Sequence, residues 1–130
     1  MTRILLAEDN EDNFNMLARR LTRQGFVVIG AENGEIAVEK AASESPDIIL
    51  MDISMPVMSG LDATREIRDN PATRSLPIIA LTAHVSKKDR DSCFDAGCDA
   101  FEGKPISFRN LMETMSNVLA IKGKQLIAAS

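Results

Sequence analysis

The chain has 130 residues, enough for one domain that buries roughly two thirds of its unfolded surface. Hydrophobic residues at 45% and charged residues at 26% exclude a disordered chain, and no apolar run reaches the length of a membrane helix, so no membrane partner is expected. A net charge of −4 argues against nucleic acid as a partner, and two cysteines with a single histidine argue against a disulfide framework or a structural zinc site.

The first strand-like run, residues 3–7, begins almost at Met1 and leaves no room for a secretory signal; with the thiols read as reduced, a cytoplasmic protein is expected. Residues 13–24 follow with helical period, stopped by Gly25. A second strand at 26–31 leads to a helix at 34–43, and Pro46 marks the joint before a third strand at 47–51. A helix at 60–69, a strand at 76–81 and a helix at 87–96 come next, the last opened by the capping pair Ser86 and Asp89 and stopped by Gly97. A weak fifth strand at 100–102 precedes a helix at 107–121. Ser107 caps that helix, and Phe108, Leu111, Met112, Met115, Val118 and Leu119 form its apolar stripe. The runs at 48–51 and 78–81 are apolar on both faces, as parallel strands covered by helices are. The alternation predicts right-handed βαβ units in a doubly wound α/β domain over residues 1–121, with 122–130 as a short tail.

Ligands of such sheets bind beyond the carboxyl ends of the strands. Just after the first run stand Glu8 and Asp9, after the third Asp52, after the fourth Thr82, and after the fifth Lys104 with Pro105. Three ionised carboxylates gathered there repel one another, and a hard divalent cation such as Mg²⁺ relieves the conflict. One acid can then attack a phosphoryl group, while Lys104 offsets charge on the phosphoryl oxygens and the Thr82 hydroxyl donates to one of them. Each residue also has a plainer use. Glu8, Asp9, Glu11 and Asp12 precede a helix whose dipole favours acids, and Asp52 could be loop polarity. Five such residues at the ends of four strands favour the chemical reading. Asp47 lies at the opposite end of its strand and reads as structural.

The ordered set Glu8-Asp9-Asn10, Asp52-Ile53-Ser54-Met55-Pro56, Gly60, Thr82-Ala83 and Lys104-Pro105 resembles the receiver domain of bacterial response regulators, over residues 3–119. The resemblance implies a flavodoxin-like five-stranded parallel sheet of order 2-1-3-4-5 with helices on both faces. It implies Asp52 as phosphoacceptor, taking phosphate from a histidine kinase or a histidine phosphotransfer protein in a two-component or phosphorelay system. Mg²⁺ would be held by Asp9 and Asp52, by Glu8 through water, and by the carbonyl of Ser54. The Lys104–Pro105 peptide would be cis. On phosphorylation Thr82 would move toward the phosphoryl group and Phe101 would turn inward behind it; Phe101 stands where the family often has Tyr, so only the steric part of the switch is retained. Ser54 and His84 flank the expected path of the hydrolytic water. Neither carries a carboxylate or carboxamide, so self-dephosphorylation should be slow. The protein would catalyse nothing else.

Phe14 carries two readings. With Leu17, Ala18 and Leu21 it completes a helical stripe that belongs in the core; the resemblance places it on the outer side of the first helix, as a docking residue for the phosphodonor. An aspartyl-phosphatase usually carries a second Asp two residues after the nucleophile, where this chain has Ser54. A flavin module would need a neutral loop in place of the acidic residues 8–12. The remaining alternative is a receiver-like binding module that works without phosphorylation. The expected output is a downstream protein target, or onward relay of the phosphate, from a monomer or weak homodimer. The start at Met1 and the short tail favour a stand-alone regulator.

Overall fold

The computed structural model describes residues 1–128; the last two residues of the expected tail lie outside the described residues. Ten elements alternate: β1 (Arg3–Ala7), α1 (Glu11–Arg23), β2 (Val27–Ala31), α2 (Gly34–Ser43), β3 (Ile48–Asp52), α3 (Gly60–Asp69), β4 (Ile78–Thr82), α4 (Lys87–Ala96), β5 (Ala100–Gly103) and α5 (Phe108–Ile121). The strands form one parallel sheet in the order β2-β1-β3-β4-β5.

The side-chain period of two sorts the strand residues into two cores. Leu5, Ala7, Ile49, Met51, Ile78 and Ala80 face one side, with Ala37, Ala41, Ala63 and Ile67 of α2 and α3. Ile4, Leu6, Ile48, Leu50, Ile79 and Leu81 face the other, with Leu21 of α1 and Leu111, Met115 and Leu119 of α5. Every residue of β3 and β4 is buried, which is why their sequences carry no alternation.

Caps set several boundaries. Helix α1 begins two residues earlier than its periodicity suggests, because the Asn10 side chain accepts from the Asn13 N–H at 2.9 Å. Glu11 and Asp12 are thereby first-turn helix residues, where acids suit the dipole. Asn33, Ser59, Ser86 and Ser107 cap the other four helices in the same way. Strand β3 starts one residue later than expected and ends on Asp52. Asp47 stays outside it, and its carboxylate accepts the Arg3 N–H at 2.7 Å. Gly60 is required by close approach: a Cβ there would run into the carbonyl of Asp52. This glycine brings α3 hard against the end of β3, with its N–H donating to the Ile53 carbonyl at 2.9 Å.

After α5 the chain folds back under the amino ends of the strands. Thr2 N–H donates to the Ile127 carbonyl, and Ile127 N–H donates to the Thr2 hydroxyl, each at 2.7 Å. Among the described residues no helix is long and apolar enough to cross a membrane.

Candidate functional site

Strand ends β1, β3, β4 and β5 bring Glu8, Asp52, Thr82 and Lys104 together. Glu8 follows β1 directly, and both it and Asp52 are nearly sealed from solvent, at 6% and 4% exposure; Asp9 points outward. One carboxylate oxygen from each of Glu8, Asp9 and Asp52 lies within 4.8 Å of the other two. Lys104 Nζ donates to Glu8 Oε1 at 3.0 Å and sits 3.3 Å from Asp52 Oδ1. The backbone N–H of Lys104 is tied to the Thr82 carbonyl at 2.8 Å, and the Lys104–Pro105 peptide is cis. Backbone donors complete the frame: Asn10 N–H reaches Glu8 Oε2 at 3.2 Å, and Ser54 N–H reaches Asp52 Oδ1 at 3.3 Å.

The electrostatics follow from this packing. Burial, and then the adjacent Asp52 carboxylate, hold the Glu8 carboxyl above its ordinary 4.5, against the opposing pull of Lys104 and the Asn10 N–H. Burial works to lower the Lys104 ammonium, but the hydrogen bond to Glu8 and the charge of Asp52 outweigh it and carry the group above 10.5. The one cation of the cluster is paired with Glu8 and Asp52, and the third carboxylate, Asp9, is in no ion pair among the described residues. Hard oxygen donors with residual negative charge fit a hard divalent cation, and the cluster could hold one.

The remaining sequence-predicted residues take definite places. Thr82 is buried, and its hydroxyl is engaged with its own loop: it donates to the His84 carbonyl at 3.2 Å and accepts the His84 N–H at 3.0 Å. Ser54 and His84 are exposed. Phe101 is half-buried on β5, paired in register with Ala80. Phe14 is half-buried rather than free: its ring lies over Gly30 of β2, where an added Cβ would come within 2.8 Å of Cζ. The exposed apolar residue of α1 is Met16, at 62%. It lines a groove of about 470 Å³ with Leu17, Arg20, Ile106 and Phe108, and the groove ends on Glu8 and Lys104. Arg20 stacks over the Phe108 ring at 4.3 Å. Sequence periodicity missed this groove because its second wall comes from the start of α5. The β3–α3 loop holds another unforeseen feature. Val57 has φ +67°, and the Met58 N–H donates to the Pro56 carbonyl at 2.7 Å, closing a γ-turn around it.

A family model described as the response regulator receiver domain matches residues 4–116. The chain belongs to the response regulator receiver family. The receiver is 36% identical over 116 residues to the polar-differentiation response regulator DivK of Brucella anthropi, covering 89% of this chain and 94% of that protein. Among solved structures it is similar to the receiver domain of a Pseudomonas aeruginosa sensor histidine kinase, at 36% identity and TM-score 0.83, covering 95% of this chain and 98% of that one; that structure holds a magnesium ion coordinated in its active-site cleft. It is also similar to a chain in the co-crystal structure of the Saccharomyces cerevisiae histidine phosphotransfer signaling protein Ypd1 with the receiver domain of its downstream response regulator Ssk1. There the identity is 27%, the TM-score 0.87, and the coverage 97% of this chain and 92% of that one. The fold and the acidic cluster thus belong to a receiver domain of two-component signalling, a response regulator and not a classical enzyme.

Proposed function

We propose that this receiver takes a phosphoryl group onto Asp52 from a phosphohistidine of a histidine kinase or histidine phosphotransfer protein, and that the modified surface acts on a downstream protein. The observation that carries the reading is the imbalance at the strand ends, where the carboxylates of Glu8, Asp9 and Asp52 gather and Lys104 pairs with Glu8 and Asp52 alone. In the transfer an Asp52 carboxylate oxygen forms the new O–P bond. The P–N bond of the donor phosphoimidazole breaks, and the imidazole nitrogen keeps the electron pair. Asp9 and Asp52 would hold Mg²⁺, with Glu8 acting through water and Ser54 through its carbonyl. When bound, the ion supplies charge neutralisation to the phosphoryl oxygens. Lys104 holds the adjacent carboxylates in place and faces the oxygens on which charge accumulates. The Thr82 hydroxyl, released from His84, donates to one of those oxygens, and Phe101 turns into the space it leaves.

The donor's docking surface is the groove between α1 and α5. It is apolar at Met16, Leu17, Ile106 and Phe108, and it opens on Glu8 and Lys104. Arg19, Arg20 and Arg23 run beside it on α1, in no ion pair among the described residues, although the chain is net acidic. An amphipathic helix with an acidic rim complements that surface. Phe14 contributes by bracing α1 against β2 rather than by direct contact.

Purified protein with Mg²⁺ and acetyl phosphate should gain one phosphoryl group by intact mass, and Asp52→Asn should gain none. No gain on a folded parent would overturn the reading in favour of a binding module that works without phosphorylation. Met16→Asp should slow transfer from a phosphohistidine protein roughly tenfold or more while leaving acetyl phosphate labelling intact.

A further inference from the structure

Helix α4 carries two residues with no role in the phosphoryl site, and both reach the aromatic ring of β5. Phe94 meets Phe101 edge to face, with centroids 6.1 Å apart and planes at 81°. Arg90, one helical turn earlier and hence on the same face, places its guanidinium carbon 5.7 Å from the centroid of the Phe101 ring. Neither residue needs that contact for its own burial. Phe94 remains 48% exposed, and Arg90 is exposed and in no ion pair among the described residues. The helix is seated on the core by Cys93 and Ala96 instead. The loop that leads into α4 is fixed on the same side, because Val85 packs so closely on Gly103 of β5 that a Cβ there would come within 2.9 Å.

The sheet leaves the ring a path inward. Ala80 pairs with Phe101 in register, and Thr82 is the next residue of β4 on that face. Ala80, opposite Phe101, carries only a methyl group, and Gly103, opposite Thr82, carries no side chain. A ring that moved along this path would give up the Phe94 edge and the Arg90 cation together.

We infer that Phe94 and Arg90 form a clasp that holds Phe101 in its half-buried position against α4 and so sets the threshold at which the receiver switches. The inference rests on the switch described above. The clasp residues are positioning residues, since they touch the ring and not the phosphoryl site. Any group that favours the inward ring must overcome the clasp, so a receiver without it should respond to a weaker stimulus.

The test uses beryllium fluoride with Mg²⁺ as a non-covalent stand-in for the phosphoryl group, followed by NMR of the Phe101 ring and of the Thr82 and Gly103 amides. In the parent, saturation should move the Phe101 ring signals. Phe94→Ala and Arg90→Ala should each tighten the apparent dissociation constant about two- to tenfold, and Arg90→Lys should restore most of the parent value. Combined with Phe101→Ala, neither substitution should have a further effect. A residue that merely stabilised α4 would lower the melting temperature without tightening the response. If the parent ring moves but the affinities of both alanine variants stay at the parent value, the clasp is overturned and the switch stands. If the parent ring does not move at saturation, the switch reading fails and the clasp fails with it.

Discussion

At the amino ends of the strands, Asp99 accepts the Ile78 N–H at 2.9 Å, accepts Arg68 Nη2 at 3.0 Å and lies 3.5 Å from Lys122. Asp47 nearby accepts the Arg3 N–H. At the carboxyl ends, Glu8 and Asp52 share Lys104 while Asp9 stands beside them. The same residue types serve opposite purposes. Below the sheet each carboxylate is matched by donors, and its contribution is to hold strands and helices in register. Above the sheet the carboxylates outnumber their cation, and the excess negative charge is left for something from outside to neutralise. An acid is therefore classified by the local balance of donors around it rather than by its identity or burial.

The largest expected difference between the ends comes from removing one acid from each. Asp99→Ala leaves the Ile78 N–H without its acceptor and Arg68 facing Lys122, and should cost about 2–3 kcal/mol in urea unfolding. Asp52→Asn removes a like charge from beside Glu8 and should leave stability unchanged or raise it. Equal losses at both ends would break the comparison.

A second difference appears at high pH. Cys98, buried just before β5, has its thiol pushed by desolvation from the ordinary 9.0 up to about 11. The folded state keeps that proton when the unfolded thiol has lost it. Stability is therefore intact below about pH 9 and falls as the pH rises toward 11, by at most about 2–3 kcal/mol. Cys98→Ala should flatten that slope. At the upper end the sign is the same but the window is acidic: the Glu8 carboxyl, raised above 4.5, is most favourable below that value, and its contribution is lost as the pH rises through the raised one. Glu8→Gln should remove that acid-side slope in a pH series of unfolding curves.

The smallest expected effect is the response to metal. At a tenfold excess over its dissociation constant, Mg²⁺ should stabilise the parent by about 1.4 kcal/mol, a shift of a few degrees in the melting curve that EDTA reverses. Asp9→Ala should abolish the shift, and Asp47→Ala should leave it in place.

Much of this molecule is legible in its residues. Helix α2 and helix α4 have the boundaries that periodicity and caps predict, since both depend on neighbours within a turn or two. Apolar runs at 48–51 and 78–81 announce strands covered on both faces, because only such strands tolerate so little polarity. The position of Glu8, Asp52, Thr82 and Lys104 just at or beyond strand ends follows from the alternation alone. Other features depend on residues far apart in the chain. Lys104 and Glu8 are 96 positions apart, and no local pattern shows that one ammonium must serve two buried carboxylates while Asp99 receives two cations. Phe14 repeats with the core stripe of α1, yet its ring is placed by the absence of a side chain at Gly30 on β2. Phe94 looks like an ordinary helix residue until β5 presents Phe101 to it. Periodicity and capping act over one or two turns, so the chain determines its elements and the ends at which chemistry can occur. Charge balance and ring contacts act through space, so only the packed sheet decides which acids are left uncompensated and which aromatic is held.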